Sequence, residues 1–181
     1  GTRPVDLHLK AFEALGAKVE LKEGYISASA PEGLKATNVL FPSVSVGATE
    51  NILMAATLAD GKTIISNAAR EPEISDLAYC LRMMGAEIEG IGSDTLTVVG
   101  KPSLQAAEYQ VIPDRIETAT YAVAAAITGG DVMLKGTRLE LMGSVADVLT
   151  NAGVTVSEVD DGIRIINSSG RVKGIDVMTE P

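Results

Sequence analysis

Residues 74–99 read ISDLAYCLRMMGAEIEGIGSDTLTVV, which predicts an amphipathic helix followed by two alternating strands. Gly85 stands where a helix commonly takes a left-handed C-terminal residue. Gly92-Ser93-Asp94 supplies residues that tolerate the positive φ angles of a tight hairpin. The stretch therefore predicts a helix followed by a β-hairpin. The apolar face of this helix consists of Ile74, Leu77, Leu81 and Met84.

The same pattern occurs at two further places, so the chain contains an internal repeat. The helix-ending residues Gly16, Gly85 and Gly153 are spaced 69 and 68 residues apart. Turns follow in register at Glu23-Gly24, Gly92–Asp94 and Asp160–Gly162, and the returning strands are predicted at Tyr25–Ser29, Thr95–Val99 and Ile163–Ile166. The other two helices carry apolar faces of Val5, Leu9, Phe12 and Leu15, and of Leu141, Val145, Val148 and Ala152.

A second type of helix precedes two of the copies. Residues 48–59, ATENILMAATLA, and 116–127, IETATYAVAAAI, are apolar almost all round, which predicts burial on most sides. Strands are expected after them at 63–66 and 132–134. The unit thus reads βαβαββ, and its hairpins favour a mixed α/β (α+β) fold over a doubly wound parallel sheet.

The repeat divides the chain into parts of two domains. A first domain is expected over 1–112, with a truncated repeat at 1–42 and a full one at 43–112. A second domain is expected over 113–181, with a repeat at 113–171. A strand at 174–178 is expected to begin a further unit within 172–181.

Composition excludes several classes of protein. The net charge of −9, without a Lys/Arg cluster, argues against a nucleic-acid binder. The longest apolar run, 52–59, is far too short to span a membrane. Cys80 is the single cysteine, so no internal disulfide forms, which fits a reducing compartment and a cytoplasmic location. Aromatic residues make up only 3%, so aliphatic side chains and Met must build the core.

Residues at the starts of the two apolar helices are candidates for binding an anion. Ser45 and Asp114 are good N-cap types, and ordinary capping is the simpler explanation of both. A helix N-terminus nevertheless offers free amides and a partial positive charge, so the segment Ser45–Gly47 suits a phosphate. Gly47 would let the ligand approach the backbone closely.

Three other residues have less specific patterns. Arg3 suits bidentate pairing with a carboxylate or phosphate, although a solvated terminal arginine is the simpler explanation. Glu71 precedes a helix whose dipole it favours, or it lines a cleft. His8 has no second His or Cys at ligand spacing, so a metal site is not expected.

Four stretches resemble the UDP-N-acetylglucosamine 1-carboxyvinyltransferases, a branch of the enolpyruvyl transferase family. They are residues 3–8, 45–49, 67–74 and 113–118, and their order and spacing extend the resemblance over essentially the whole chain. The resemblance implies an inside-out α/β barrel, with helices inside a sheet wall. It also implies two similar domains with the active site between them.

The resemblance further implies a reaction. Phosphoenolpyruvate donates its enolpyruvyl group to the 3′-hydroxyl of UDP-N-acetylglucosamine, phosphate leaves, and peptidoglycan synthesis begins. This implies roles in cell-wall biogenesis, cell shape and cell division. Both substrates are small molecules, so neither a nucleic acid nor a membrane is expected as a partner. No metal or organic cofactor is expected.

Site residues follow by matching positions within these stretches. Arg3 matches an arginine near phosphoenolpyruvate and the sugar nucleotide. The segment expected to line the uridine pocket is Pro4, Val5, Asp6 and Leu7. The segment expected to hold the diphosphate is Ser43, Val44, Ser45, Val46 and Gly47. Many relatives carry Lys where Ser43 stands, and Glu71 and Asp114 match supporting charged positions near the cleft.

The family pattern also predicts what the chain does not contain. The general-acid cysteine is expected just before Gly1 and the catalytic aspartate shortly after Pro181, so the chain alone is expected to be inactive. Unpaired strand edges predict self-association. A non-catalytic α/β binding module and a sister 5-enolpyruvylshikimate-3-phosphate synthase are the alternative functions.

Overall fold

A computed structural model describes residues 4–178 of the chain, and it has a mixed α/β fold. The chain divides into two compact units, Gly1–Val111 and Ile112–Pro181. The first unit contains α1 (Asp6–Ala14), β1 (Lys18–Lys22), β2 (Tyr25–Ser29), β3 (Asn38–Leu40), α2 (Val46–Ala56), β4 (Lys62–Ser66), α3 (Pro72–Met83), β5 (Glu87–Glu89) and β6 (Thr95–Val99). The second contains α4 (Arg115–Thr128), β7 (Asp131–Lys135), α5 (Leu139–Met142), α6 (Ser144–Asn151), β8 (Thr155–Val159) and β9 (Gly162–Ile166).

Helix α2 is the centre of the first unit. It contacts α1, α3 and β4, and its buried residues are Ala48, Thr49, Ile52, Leu53 and Ala56. The four-stranded sheet has the order β3-β4-β6-β5, with β3 parallel to β4 and the other neighbours antiparallel. The predicted burial of α2 is confirmed. The small side chains of Ala48 and Ala56 let the neighbouring elements approach the helix closely.

The hairpin of β1 and β2 forms a separate two-stranded sheet in the first unit. Lys18 pairs with Ser29 and Lys22 with Tyr25, so the register places the turn at Glu23-Gly24 as predicted. Both turn residues have positive φ. The ribbon is exposed along most of both faces, and even the apolar side chain of Leu21 is 73% exposed.

The second unit has a three-stranded antiparallel sheet of order β7-β9-β8. Helix α4 packs against β7, β9, α5 and α6 through a face of Thr118, Ala122, Ala125 and Ala126. The prediction that α4 is buried on most sides is wrong for the described residues. All its described neighbours contact that one face, so Ile116, Val123 and Ile127 remain exposed.

Two other predictions in the second unit are wrong. The helix predicted around Leu141–Ala152 is divided into α5 and α6, because Gly143 takes a φ of 50° that a continuous helix does not allow. Residues 174–178 form no strand. An isolated strand is not stable, and no described strand pairs with this segment.

Among residues 4–178, no helix combines the length and apolar character needed to cross a lipid bilayer.

The segment after β6 has no regular secondary structure, but its end is attached to α3. The phenol of Tyr109 donates a hydrogen bond of 2.7 Å to Oδ1 of Asp76. Burial, together with this bond, raises the pKa of Tyr109 to about 12 from an ordinary value of 10.0. The neutral phenol therefore stabilises the folded chain. That contribution is complete below the ordinary pKa and is lost as the pH rises through the higher one.

We expect Tyr109→Phe to remove one late tyrosine ionisation from the ultraviolet absorbance titration, near pH 12. The variant should also lose the part of the stability that declines between pH 10 and 12. The control is Tyr25→Phe, because the Tyr25 side chain is mostly exposed and should leave the late ionisation in place. If the late ionisation is unchanged in Tyr109→Phe, the hydrogen bond between Tyr109 and Asp76 is contradicted.

Candidate functional site

The start of α2 presents unpaired backbone amides, as its sequence predicts. Ser45 is the N-cap, with extended φ and ψ of −144° and 115°, and its Oγ accepts a long hydrogen bond of 3.4 Å from the amide of Ala48. The amides of Val46 and Gly47 occupy the first two helical positions, where a helix offers no internal acceptor. This turn can therefore accept an anion without losing helical hydrogen bonds.

His8 on α1 lies directly against this turn. A Cβ built on Gly47 would stand 3.2 Å from Cε1 and 3.6 Å from Nε2 of His8. The side-chain amide nitrogen of Asn51 forms a hydrogen bond of 2.7 Å with Nδ1 of the same imidazole. The absence of a side chain at Gly47 thus lets the imidazole lie directly on α2, although the φ of Gly47 is not in the left-handed region.

A third segment, the loop before α3, is attached to the same turn. The amide of Ala69 donates to Oγ1 of the fully buried Thr49 at 3.0 Å. Asn67 takes a positive φ of 55°, and its side-chain amide donates to the carbonyl of Phe41 at 2.8 Å. The loop carries Glu71, whose Oε2 is buried and accepts no hydrogen bond from the described residues. A buried carboxylate oxygen of this kind is a position where a ligand or cation would be stabilising.

The residues before and within the first turn of α1 directly precede His8 in the chain. Val5 is the N-cap residue of α1, and Asp6 is exposed in its first turn. Leu7 packs on the core and lines a cavity of about 240 Å³ between α1 and β3, together with Lys10 and Phe41. Arg3 lies outside the described residues.

Asp114 caps α4 in the second unit. Its Oδ1 accepts hydrogen bonds from the amides of Ile116 and Glu117 at 2.8 and 3.0 Å. A cap of this type contributes about 1 kcal/mol to stability. Asp114 also lines a cavity of about 460 Å³ with Tyr121, Lys135 and Thr137. The predicted cap is confirmed, while its supporting role in a binding site stays a prediction.

Pro4–Leu7, Ser43–Gly47 and Glu71 all belong to the first unit, whereas Asp114 belongs to the second. The contact that the structure shows between α1 and the first turn of α2 is that of His8 with Gly47. Ser43 and Val44 lie in the exposed loop before α2. The sequence patterns did not identify His8, Thr49 or Asn51 as parts of this arrangement. One signal was available, because Asn51 follows Gly47 by one helical turn and so shares its face of α2.

Sequence comparison relates the whole chain to one family. The family profile described as EPSP synthase (3-phosphoshikimate 1-carboxyvinyltransferase) matches residues 1–181. A protein of Paramagnetospirillum magneticum named UDP-N-acetylglucosamine 1-carboxyvinyltransferase is 62% identical over all of this chain. A protein of the same name from Gluconobacter oxydans is 57% identical over all of it. The chain spans 42% and 43% of the lengths of these two relatives.

Solved structures show the same relationship at the level of the fold. The enolpyruvyl transferase NikO from Streptomyces tendae matches 91% of this chain and 42% of its own, with a TM-score of 0.70 and 23% identity. The EPSP synthase from Acinetobacter baumannii matches 92% of this chain and 40% of its own, with a TM-score of 0.68 and 25% identity. The chain thus belongs to the EPSP synthase (3-phosphoshikimate 1-carboxyvinyltransferase) family.

Proposed function

We propose that this chain forms the nucleotide-binding part of a UDP-N-acetylglucosamine 1-carboxyvinyltransferase. The complete enzyme would transfer the enolpyruvyl group of phosphoenolpyruvate to the 3′-hydroxyl of UDP-N-acetylglucosamine and release phosphate, as the first step of peptidoglycan synthesis. The observation that carries the proposal is the packing of His8, which directly follows the segment Pro4–Leu7, against Gly47 in the amide-bearing first turn of α2. Relatives that bear this enzyme's name, at 57–62% identity, support the choice of substrate.

In this proposal the diphosphate binds at the start of α2. The amides of Val46 and Gly47 and the hydroxyl of Ser45 would donate to its oxygens, and Gly47 would allow close approach. Such contacts matter because the chain carries a net charge of −9, which opposes anion binding at long range. Ser43 adds no cation, so backbone amides make most of the contact with the diphosphate.

The uridine is assigned to the segment Pro4–Leu7, next to the diphosphate. Half-buried Val5 and Leu7 would give a base an apolar surface, while Asp6 is exposed at the helix start and can accept hydrogen bonds. Glu71 and Asp114 would be supporting residues, and Arg3 a contact to phosphoenolpyruvate.

The fold of the complete enzyme is part of the proposal. The order β3, α2, β4, α3, β5, β6 is one βαβαββ unit, and β7-β9-β8 has the same antiparallel order as β4-β6-β5. These similarities support repeated units in an inside-out α/β barrel. We assign the two compact units to parts of two such domains.

Calorimetric titration of this chain with UDP-N-acetylglucosamine tests the proposal. We expect a saturable signal in the millimolar range or tighter, since the chain carries only part of the site. UDP should compete with the sugar nucleotide, because both carry the diphosphate and uridine. Absence of any signal at millimolar ligand would overturn the assignment.

A sister activity on shikimate 3-phosphate is the second candidate, supported by the family profile and the Acinetobacter baumannii structure. The two substrates differ in chemistry, since shikimate 3-phosphate has a phosphate monoester and no nucleobase. The same titration with shikimate 3-phosphate discriminates between them. Preferential binding of this ligand would favour the sister activity.

A further inference from the structure

We propose that His8 is a positioning residue that holds the uridine segment Pro4–Leu7 against the diphosphate-binding turn of α2, an inference that rests on the proposed function. His8 directly follows Leu7 in α1, and its imidazole lies over Gly47. The two segments belong to different helices, so a ligand that spans both needs a fixed distance between them. His8 is bonded to Leu7 on one helix and contacts Gly47 and Asn51 on the other.

Two interactions restrain the imidazole. The amide nitrogen of Asn51 lies 2.7 Å from Nδ1. Because an amide nitrogen only donates, the proposal assigns the proton of the neutral ring to Nε2. The other edge of the ring, Cε1 and Nε2, packs at Gly47, where no side chain interposes. Because Gly47 and Asn51 are one turn apart on the same face of α2, sliding α1 along α2 would break both contacts at once.

Binding affinity tests this positioning role. We expect His8→Ala to weaken UDP-N-acetylglucosamine binding by about fivefold, the factor that corresponds to the loss of one oriented hydrogen bond of about 1 kcal/mol. Asn51→Ala should cause a similar loss. The double variant should lose little more than either single one, because the two residues act through one contact. His8→Asn keeps an acceptor near the position of Nδ1 and should bind better than His8→Ala.

A spectroscopic measurement separates positioning from general packing. His8 is the only histidine, so ¹⁵N-labelled histidine reports this ring alone. We expect the signals of a protonated Nε2 and a bare Nδ1 in the unmodified chain. Asn51→Asp replaces the donor with a carboxylate acceptor, so Nδ1 should gain a proton and its signal should move accordingly.

The outcomes are distinguishable. If the unmodified chain does not bind UDP-N-acetylglucosamine, the proposed function itself fails. If it binds but folded His8→Ala and Asn51→Ala bind equally well, or if their losses add in the double variant, the positioning role is overturned. Glu13→Gln, at an exposed position of α1, is the matched control and should bind like the unmodified chain. A proton on Nδ1 in the unmodified chain would also overturn the proposal.

Discussion

A chain carrying Gly47→Leu is expected to bind UDP-N-acetylglucosamine about 100-fold more weakly than the unmodified chain, a loss of roughly 2.7 kcal/mol. A Cβ at this position already stands 3.2 Å from Cε1 of His8, and the branches of leucine need more room. The imidazole must then leave its bond with Asn51. The leucine would also obstruct the approach of phosphate oxygens to the first amides of α2.

Two further variants make this result interpretable. Gly47→Ala needs a shift of only a few tenths of an ångström in the imidazole and should lose much less affinity. Gly174→Leu is the control, because a Cβ there meets no atom within 4 Å. Circular dichroism establishes that each variant is folded, and calorimetry gives the affinities. Wild-type affinity in a folded Gly47→Leu chain would refute the placement of the diphosphate.

Gly100→Ala is expected to destabilise the first unit by about 3 kcal/mol or more, since overpacking against backbone cannot be relieved by a side-chain rotation. The added Cβ would stand 1.6 Å from the carbonyl oxygen of Ala59, which is itself buried. Gly100 donates to the carbonyl of Gly61 at 2.9 Å, and Lys101 to that of Thr57 at 2.8 Å. These bonds fix the chain after β6 against the end of α2.

Urea unfolding followed by circular dichroism measures this loss. Gly174→Ala is the matched glycine replacement, and it should change stability by less than about 0.5 kcal/mol. A midpoint for Gly100→Ala equal to that of the unmodified chain would mean that the backbone approach between Gly100 and Ala59 is absent in solution.

Much of the local fold could be predicted from sequence periodicity. The strands 25–29 and 95–99 were predicted at their observed bounds, because hairpin turns and alternating side chains are local signals. The break at Gly143 and the exposed face of α4 could not be predicted. The break follows from the positive φ of Gly143, which the spacing of apolar residues does not specify. The exposed face depends on which surfaces meet in space, and an apolar helix has the same sequence pattern whether one face or every face is packed.

The site shows the same division between local and spatial information. N-capping by Ser45 and Asp114 follows from residue type and position alone, and the structure confirms both caps. The pairing of His8 with Asn51 joins residues 43 positions apart, and no local pattern specifies it. The requirement for glycine at position 100 likewise cannot be predicted from the sequence. Its φ is not in the left-handed region, so no turn type calls for glycine there, and the requirement comes from the close approach of Ala59.

The β1–β2 ribbon has a consequence for the cooperativity of folding. A two-stranded sheet that buries little apolar surface is marginally stable by itself. Separating its strands therefore costs far less than unfolding the chain, and the two strands open and close while the rest of the unit remains intact. Protease-accessible states of the first unit consequently arise at residues 18–29, while the protected folding unit is built around α2.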